Sequence, residues 1–425
     1  MLRISKVVII SVLIFTQLAV WAQNNTNSPY TRFGFGELAD RSFGAGRAMG
    51  GVGIGLRSSK QINPLNPASY SCMDSLTFLF DFGVSGQVSW FDDGNTKQHQ
   101  MNGNVEYIAM QFPLTRRLAV SIGLLPFSHV GYEFGGTKSE AGLTWAETFT
   151  GSGSLSEMYG GISFDIWKKR LAVGANFGFL FGNFSHERNL IFASANADDV
   201  QKYRRYDVRD LLMDFGVQYT HPLSREERVT VGVTYSPGQR LNTKLYDIQL
   251  VGSGTSSSYT VNDTITNYRY DLPHAFGFGL SYVKDNKLTV AADLKYENWE
   301  DCYFDNEKGL FKNRMRIALG GEYIPAYRNR NYFGRINYRA GFHYSNSYLR
   351  VGCSEENGYK GHGYNEYGAS IGLGLPLIDN RSYVNLSFEY VKIHPEMQTM
   401  IDEQYFRFTV NYSFNELWFF KRKVN

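Results

Sequence analysis

Phe406-Arg407-Phe408-Thr409-Val410-Asn411-Tyr412-Ser413-Phe414 decides the fold. Every second residue is apolar or aromatic, and the residues between are polar or charged. Successive side chains of a strand point to opposite faces, so this segment shows one greasy and one polar face. The same rhythm precedes it. Val384, Leu386, Phe388 and Tyr390 oppose Asn385, Ser387 and Glu389. Leu288, Val290, Ala292, Leu294 and Tyr296 oppose Thr289, Asp293, Lys295 and Glu297. Val229, Val231, Val233 and Tyr235 oppose Thr230, Gly232, Thr234 and Ser236.

Working outward, the alternation predicts about fourteen strands: 76–90, 103–114, 118–134, 154–167, 171–190, 207–221, 228–247, 266–283, 288–303, 312–325, 334–349, 364–376, 382–393 and 404–414. A soluble sandwich would alternate too. Three features favour a membrane barrel. The strand number is even, aromatics gather at strand ends, and connections alternate in length. Segments 115–117, 168–170, 222–227, 284–287 and 377–381 are short; 91–102, 135–153, 191–206, 248–265 and 350–363 are long. The expected fold is all-β, a transmembrane antiparallel barrel over 76–414. Its short turns would face the periplasm, placing both mature termini there, in the outer membrane of a Gram-negative cell.

Two segments fall outside the rhythm. Arg3 and Lys6 precede the apolar stretch Val7 to Val20, which ends in Ala22; residues 1–22 read as a secretory signal peptide. Residues 23–75 lack alternation and carry eight glycines between Gly34 and Gly55. Phe33, Phe35, Phe43, Met49 and Ile54 argue against disorder, so the segment reads as a plug for the lumen. The tail 415–425, with Trp418, Phe419 and Phe420 before Lys421-Arg422-Lys423, suits the inner interface.

Composition limits function. Net charge is +3, about +1 once Arg3 and Lys6 are removed, which offers no basic surplus for nucleic acid. Cys72, Cys302 and Cys353 have no metal spacing. No nucleophile elbow or zinc motif occurs. Gly44-Ala45-Gly46-Arg47-Ala48-Met49-Gly50 has the wrong spacing for a dinucleotide loop. Catalytic residues, metal and cofactors are therefore expected to be none. Ser128, His129, His186, Asp198 and His343 near the outer rim leave a barrel enzyme as the weakest alternative. Interior charges such as Asp214, Asp293, Lys295, Glu297, Glu322, Glu389 and Arg407 are expected to form a paired lining rather than catalytic carboxylates.

Pro126 breaks the third strand in Leu124-Leu125-Pro126-Phe127-Ser128. A proline removes a ladder hydrogen bond, and every strand of a closed barrel is central. The ladder must bulge or open there.

Taken together, these residues resemble the FadL family of outer-membrane transporters for long-chain fatty acids and other hydrophobic compounds. Gly44, Gly46 and Arg47, then Asn66-Pro67-Ala68, are similar to the family's hatch motifs. Leu118 to Tyr132, with Pro126-Phe127, resembles its third strand, although Ser128 stands where many members carry glycine. Asp271-Leu272-Pro273, Gly320-Gly321-Glu322-Tyr323 and Arg339-Ala340-Gly341-Phe342 are further partial matches. The look is closest to members from Bacteroidota. The resemblance implies a plugged fourteen-stranded barrel, a wall gap at Pro126, Phe127 and Ser128, and lateral exit of a hydrophobic small molecule among outer-membrane lipids. The rival reading is an accessory of protein secretion or surface attachment, with a secretion-system protein as partner.

Overall fold

The computed structural model describes residues 26–417 apart from 141, 168, 195–196, 254–255, 327–330, 353–360 and 380. The expected signal peptide, Cys353 and the aromatic-basic tail from Trp418 onward lie outside the described residues.

Fourteen antiparallel strands form the wall: β1 (Thr77–Asp92), β2 (Lys97–Pro113), β3 (Leu118–Glu140), β4 (Leu143–Trp167), β5 (Leu171–Phe192), β6 (Asp199–Pro222), β7 (Glu227–Ser236), β8 (Ala275–Lys284), β9 (Leu288–Glu297), β10 (Arg314–Tyr323), β11 (Asn337–Asn346), β12 (Tyr364–Pro376), β13 (Tyr383–Pro395) and β14 (Asp402–Leu417). Each pairs with the next, and β14 closes on β1 from Thr77↔Leu417 to Asp92↔Asp402. Closure of β14 on β1 leaves no edge at the two ends of the sheet, where an apolar surrounding could not satisfy one. Among the described residues no helix is long and apolar enough to cross a membrane.

The two faces follow the alternation. Phe406, Phe408 and Tyr412 are exposed outward, whereas Thr409, Asn411 and Ser413 are buried inward. Phe276, Leu319, Ile371 and Phe388 continue the outer apolar belt on other strands. Trp90 packs edge-on to Phe406 at 5.8 Å, an aromatic pair near the top of the belt.

The wall departs from the sequence reading at the long-loop end. Segment 135–153 is mostly strand, because β3 runs to Glu140 and β4 begins at Leu143. The strand expected over 228–247 ends at Ser236, and that over 266–283 begins at Ala275. Between them, Thr243–Ser253 and Ser256–Ile265 form a hairpin that pairs along the outer half of β6. Above the belt both faces meet water, so the apolar rhythm that marks a strand disappears while the ladder continues.

Residues 26–75 sit inside the barrel. The regular elements of this segment are, in order, the 3₁₀ helix Pro29–Arg32, the two-residue strand Glu37–Leu38, the short helix Gly44–Arg47 and the 3₁₀ helix Pro67–Cys72. Inward-facing glycines make room for this chain. An added Cβ at Gly174 would strike Pro67, at Gly216 Asn66, at Gly232 Ile54, and at Gly320 Met49. A Cβ at Gly341 would strike the backbone of both Met49 and Gly50. Gly174 faces Gly216 and Gly320 faces Gly341 across their ladders, so the contact forms a belt rather than isolated points.

Gly341→Leu should therefore displace the plug while leaving the wall intact. The barrel should keep its heat-modifiable migration on gels. Trypsin cleavage after Arg47 or Arg57 should rise roughly tenfold, the effect of about 1.4 kcal/mol in local opening. Unchanged cleavage would contradict this account of the belt.

Candidate functional site at the plug and the third strand

The ladder between β2 and β3 is short. It runs only from Pro113↔Ala119 to Ile108↔Leu124. Beyond that point β2 continues to pair with β1 as far as Lys97↔Asp92, and β3 with β4 as far as Glu140↔Leu143. The two strands part at the level of Phe82, which faces Ile108, and remain parted past Trp90. Pro126 stands just beyond the last β2–β3 pair. There a missing N–H is tolerated as on an edge strand. A bulge between Pro126 and Ser128 takes Phe127 out of the β4 register. A break and a bulge therefore occur together.

The plug covers the bare edge of β3. Glu37 and Leu38 pair with His129 and Ser128. Ala39 N–H donates to Phe127 O at 3.0 Å. Gly131 N–H donates to Thr31 Oγ1 at 3.1 Å. Gly36 adopts φ of +81°, and a Cβ there would strike His129 O, so only glycine lets the plug approach this closely. On the β2 side the ties are side chains. Asn27 Nδ2 donates to Asn102 Oδ1 at 2.9 Å, and Arg47 Nη1 meets Glu106 Oε2 at 2.7 Å.

The hatch residues expected from sequence are all buried anchors. Gly44 N–H donates to Tyr107 Oη at 2.7 Å. A Cβ on Gly46 would press on Val52 O at 2.6 Å. Arg47 Nη2 also donates to Asp40 O at 3.0 Å. Asn66 is fully buried; its Oδ1 caps the 3₁₀ helix by accepting from Ala68 N–H at 3.1 Å, and its Nδ2 donates to Ile54 O at 2.9 Å. Pro67 occupies the first turn, and Ala68 O accepts from Ser163 Oγ of β4 at 3.0 Å. Pro126, Phe127 and Ser128 lie apart from this cap, at the wall break. Phe127 is half-buried, and Ser128 Oγ is buried with no hydrogen-bond partner.

Sequence reasoning missed the partners that join plug to wall. Asp293 accepts from Gly53 N–H at 2.6 Å and Ile54 N–H at 2.7 Å. Arg41 bridges Glu157 at 2.9 Å and Asp214 at 3.1 Å. Asp40 meets Arg316 at 3.0 Å. Burial opposes ionisation of Asp40, but the Arg316 and Arg47 guanidiniums outweigh it and hold the carboxyl below its usual range. The Glu37 carboxyl is raised by burial, offset in part by Arg407. Of the interior charges, Asp214 and Arg407 pair with plug residues Arg41 and Glu37, Asp293 accepts from plug amides, and Glu322 and Glu389 pair within the wall with Arg339 and Arg407. The sequence signal for them was only their inward parity.

Two layers meet at the break. On the long-loop side, a buried apolar column fills the lumen. Phe35 of the plug packs on Phe304 (5.2 Å) and Trp299 (6.1 Å) from the loops. The same cluster includes Val130 and Tyr132 of β3, with Phe127 and Leu38 against it. Toward the plug body lies a polar cavity of about 60 Å³ lined by Glu37, Glu106, His129, Arg316, Glu366 and Arg407, among others. It has room for a few waters.

A family model described as BamG matches residues 3–425. The chain belongs to the BamG family. A comparison with curated proteins finds no match. Among solved structures, the Pseudomonas putida toluene transporter TodX is similar with a TM-score of 0.60 and 15% identity, over 90% of this chain and 100% of that one. A Pseudomonas aeruginosa FadL homologue gives 0.58 and 12%, over 90% and 99%. The monoaromatic hydrocarbon channel CymD gives 0.56 and 14%, over 90% and 98%. This BamG-family chain thus shares the fold of FadL-type hydrophobic-compound channels, as the sequence resemblance led one to expect.

Asp293→Ala should loosen the plug locally, since hydrogen bonds to a charged acceptor contribute about 1.5–3 kcal/mol. Hydrogen exchange at the amides of Gly53 and Ile54 should accelerate, while β9 amides stay protected. Equal exchange in both proteins would show that Asp293 does not hold the segment.

Proposed function

We propose that this BamG-family barrel resides in the outer membrane and passes hydrophobic small molecules between its outer loops and the wall break at Pro126. The short turns face the periplasm in this reading, as does the mature N-terminus. The observation that carries it is the continuity of the apolar column. Trp299, Phe304 and Phe311 at the loop end and Phe35 and Val130 at the break belong to one buried apolar cluster, with Phe127 packed against it. A hydrophobic molecule gains about 25 cal/mol per Å² on leaving water, so such a column is a favourable route once it opens. The ion-pair layer below it blocks the straight path through the lumen and leaves the side exit. Fatty acids and monoaromatic compounds both belong to the ligand class this column suits. The reading assigns no catalytic step to any residue.

Opening requires the plug to release β3, because Glu37–Leu38 occupies its edge. Leu38 and Ser128 are directly opposite in that pairing. A Leu38→Cys/Ser128→Cys disulfide should lock the exit. Uptake of a hydrophobic fluorophore into outer-membrane vesicles should fall at least several-fold on oxidation and recover with reductant. Uptake that ignores the redox state would refute lateral passage.

A second reading, an accessory to protein secretion or surface attachment, is favoured by one observation. The outer halves of β3–β6 and the 243–265 hairpin rise as a continuous sheet beyond the belt, exposing Leu143, Ile191 and Tyr259. Stoichiometric co-purification of one secretion-system protein, lost when Ile191 and Tyr259 become Ser, would support that reading. Co-purified apolar ligand without such a protein would support transport.

A further inference from the structure

At the short-turn end, on the far side of the plug from the apolar column, lies a second and larger cavity. Its volume is about 650 Å³, within the ~300–1,000 Å³ of small-ligand sites. Six cationic side chains line it: Arg57 and Lys60 from the plug, and Lys169, Arg228, Arg335 and Arg339 from the wall and its turns. Only two acids, Asp74 and Glu322, line it with them. Glu322 is taken by Arg339 at 2.7 Å. Among the described residues no carboxylate reaches ion-pair distance of the side chains of Arg57, Lys60, Lys169 or Arg228; Lys169 meets Asp165 only through its backbone N–H, and the side-chain contacts of the other three are to neutral groups. Arg57 Nη2 meets Ser71 Oγ at 3.5 Å, Lys60 Nζ meets Tyr383 Oη at 3.1 Å, and Arg228 Nη1 meets Asn286 Oδ1 at 3.2 Å. The Nε and Nη1 atoms of Arg57 are buried with no hydrogen-bond partner at all. Buried guanidinium donors left unmet are costly, so these two nitrogens of the half-buried Arg57 mark a place where an acceptor is missing.

We propose that this vestibule receives an acidic segment of a polypeptide arriving from the periplasm. Three observations select that occupant. Bilayer headgroups cannot enter in the membrane plane, because the cavity lies inside the wall. A ligand of the apolar column does not reach it, because the plug and the ion-pair layer stand between. A small inorganic anion would meet only a few of the six cations spread round a cavity of about 650 Å³, whereas an acidic peptide presents several carboxylates along its length. Arginine suits the task, since its fork meets a carboxylate through two hydrogen bonds. The proposal shares with the preceding section only the periplasmic placement of the short turns. It does not depend on transport or on the outer-sheet reading.

The test uses the full-length barrel in detergent and a fluorescein-labelled octapeptide alternating Glu and Ser, with a Gln and Ser octapeptide as its neutral counterpart. Fluorescence anisotropy should show the Glu peptide binding at least roughly tenfold more tightly. That preference should shrink between ~0.05 and ~0.5 M salt as the charges are screened. Arg57→Gln/Arg228→Gln should lose roughly tenfold in affinity while remaining heat-modifiable. Arg204→Gln/Arg205→Gln, at the opposite end, should bind as the unaltered protein does. Equal binding of the two peptides, undiminished binding by the first variant, or equal loss in the second would overturn the proposal. So would phosphatidylglycerol vesicles competing as strongly as unlabelled peptide, which would assign the cations to lipid. Binding in detergent does not depend on membrane orientation, which protease access to the short turns in whole cells reports separately.

Discussion

Every backbone N–H and C=O at membrane depth must find a partner, because lipid offers none and each orphan costs several kcal/mol. The structure follows from that demand. The wall seams other than β2–β3 satisfy it by ladder pairing, some with a bulge, and the closing seam of β14 on β1 runs unbroken from Thr77 to Asp92. The seam between β2 and β3 does not, since its ladder stops at Leu124. The plug then becomes part of the wall: Glu37–Leu38, Ala39 and Thr31 supply the bonds that β2 withholds. Break and plug are one feature. A plug that left would uncover β3, and a β2–β3 ladder that continued would leave the Glu37–Leu38 strand unpaired.

This coupling explains why the lumen is stratified. The plug must be held at one height, or its strand would miss His129 and Ser128. Asp293, Arg41 and the Arg316–Asp40 pair hold it by charge, while the inward glycines let its backbone lie against the wall. Breaking a buried charged pair leaves one charge uncompensated, so a plug shifted out of this register would be penalised. Above them the apolar column can be closed by packing alone. Packing is non-directional, so under the proposed function that layer is the one that would part and re-form around a ligand.

The parts of the site that were legible in the sequence were those that violate a local rule. Pro126 is a residue that a central strand should not contain; Asn66-Pro67-Ala68 stood out only through its resemblance to a family motif, and its role as a helix cap came from the structure. Arg47–Glu106, Asp293 with Gly53, and Thr31 with Gly131 carried no such mark. Their partners are far apart in the chain, and nothing in either local stretch says which will meet. The loops showed the opposite failure. Segments 135–153 and 248–265 looked irregular because their side chains meet water on both faces, yet their backbones pair for many residues.

By itself, the sequence determined the architecture: period-two alternation needs no long-range information, and fourteen such segments with a non-alternating leader leave a plugged barrel as the consistent answer. It also marked where the wall would be disturbed, since the missing N–H of Pro126 is a local fact. Only the tertiary structure decided what that disturbance is. Whether a seam opens depends on how far two neighbouring strands stay in register, and what covers it depends on a plug folded back from residues about a hundred positions earlier. The charge of the short-turn vestibule was decided at the same level. A net charge near zero hid a local excess, because the acids that would neutralise it are engaged elsewhere in the lumen.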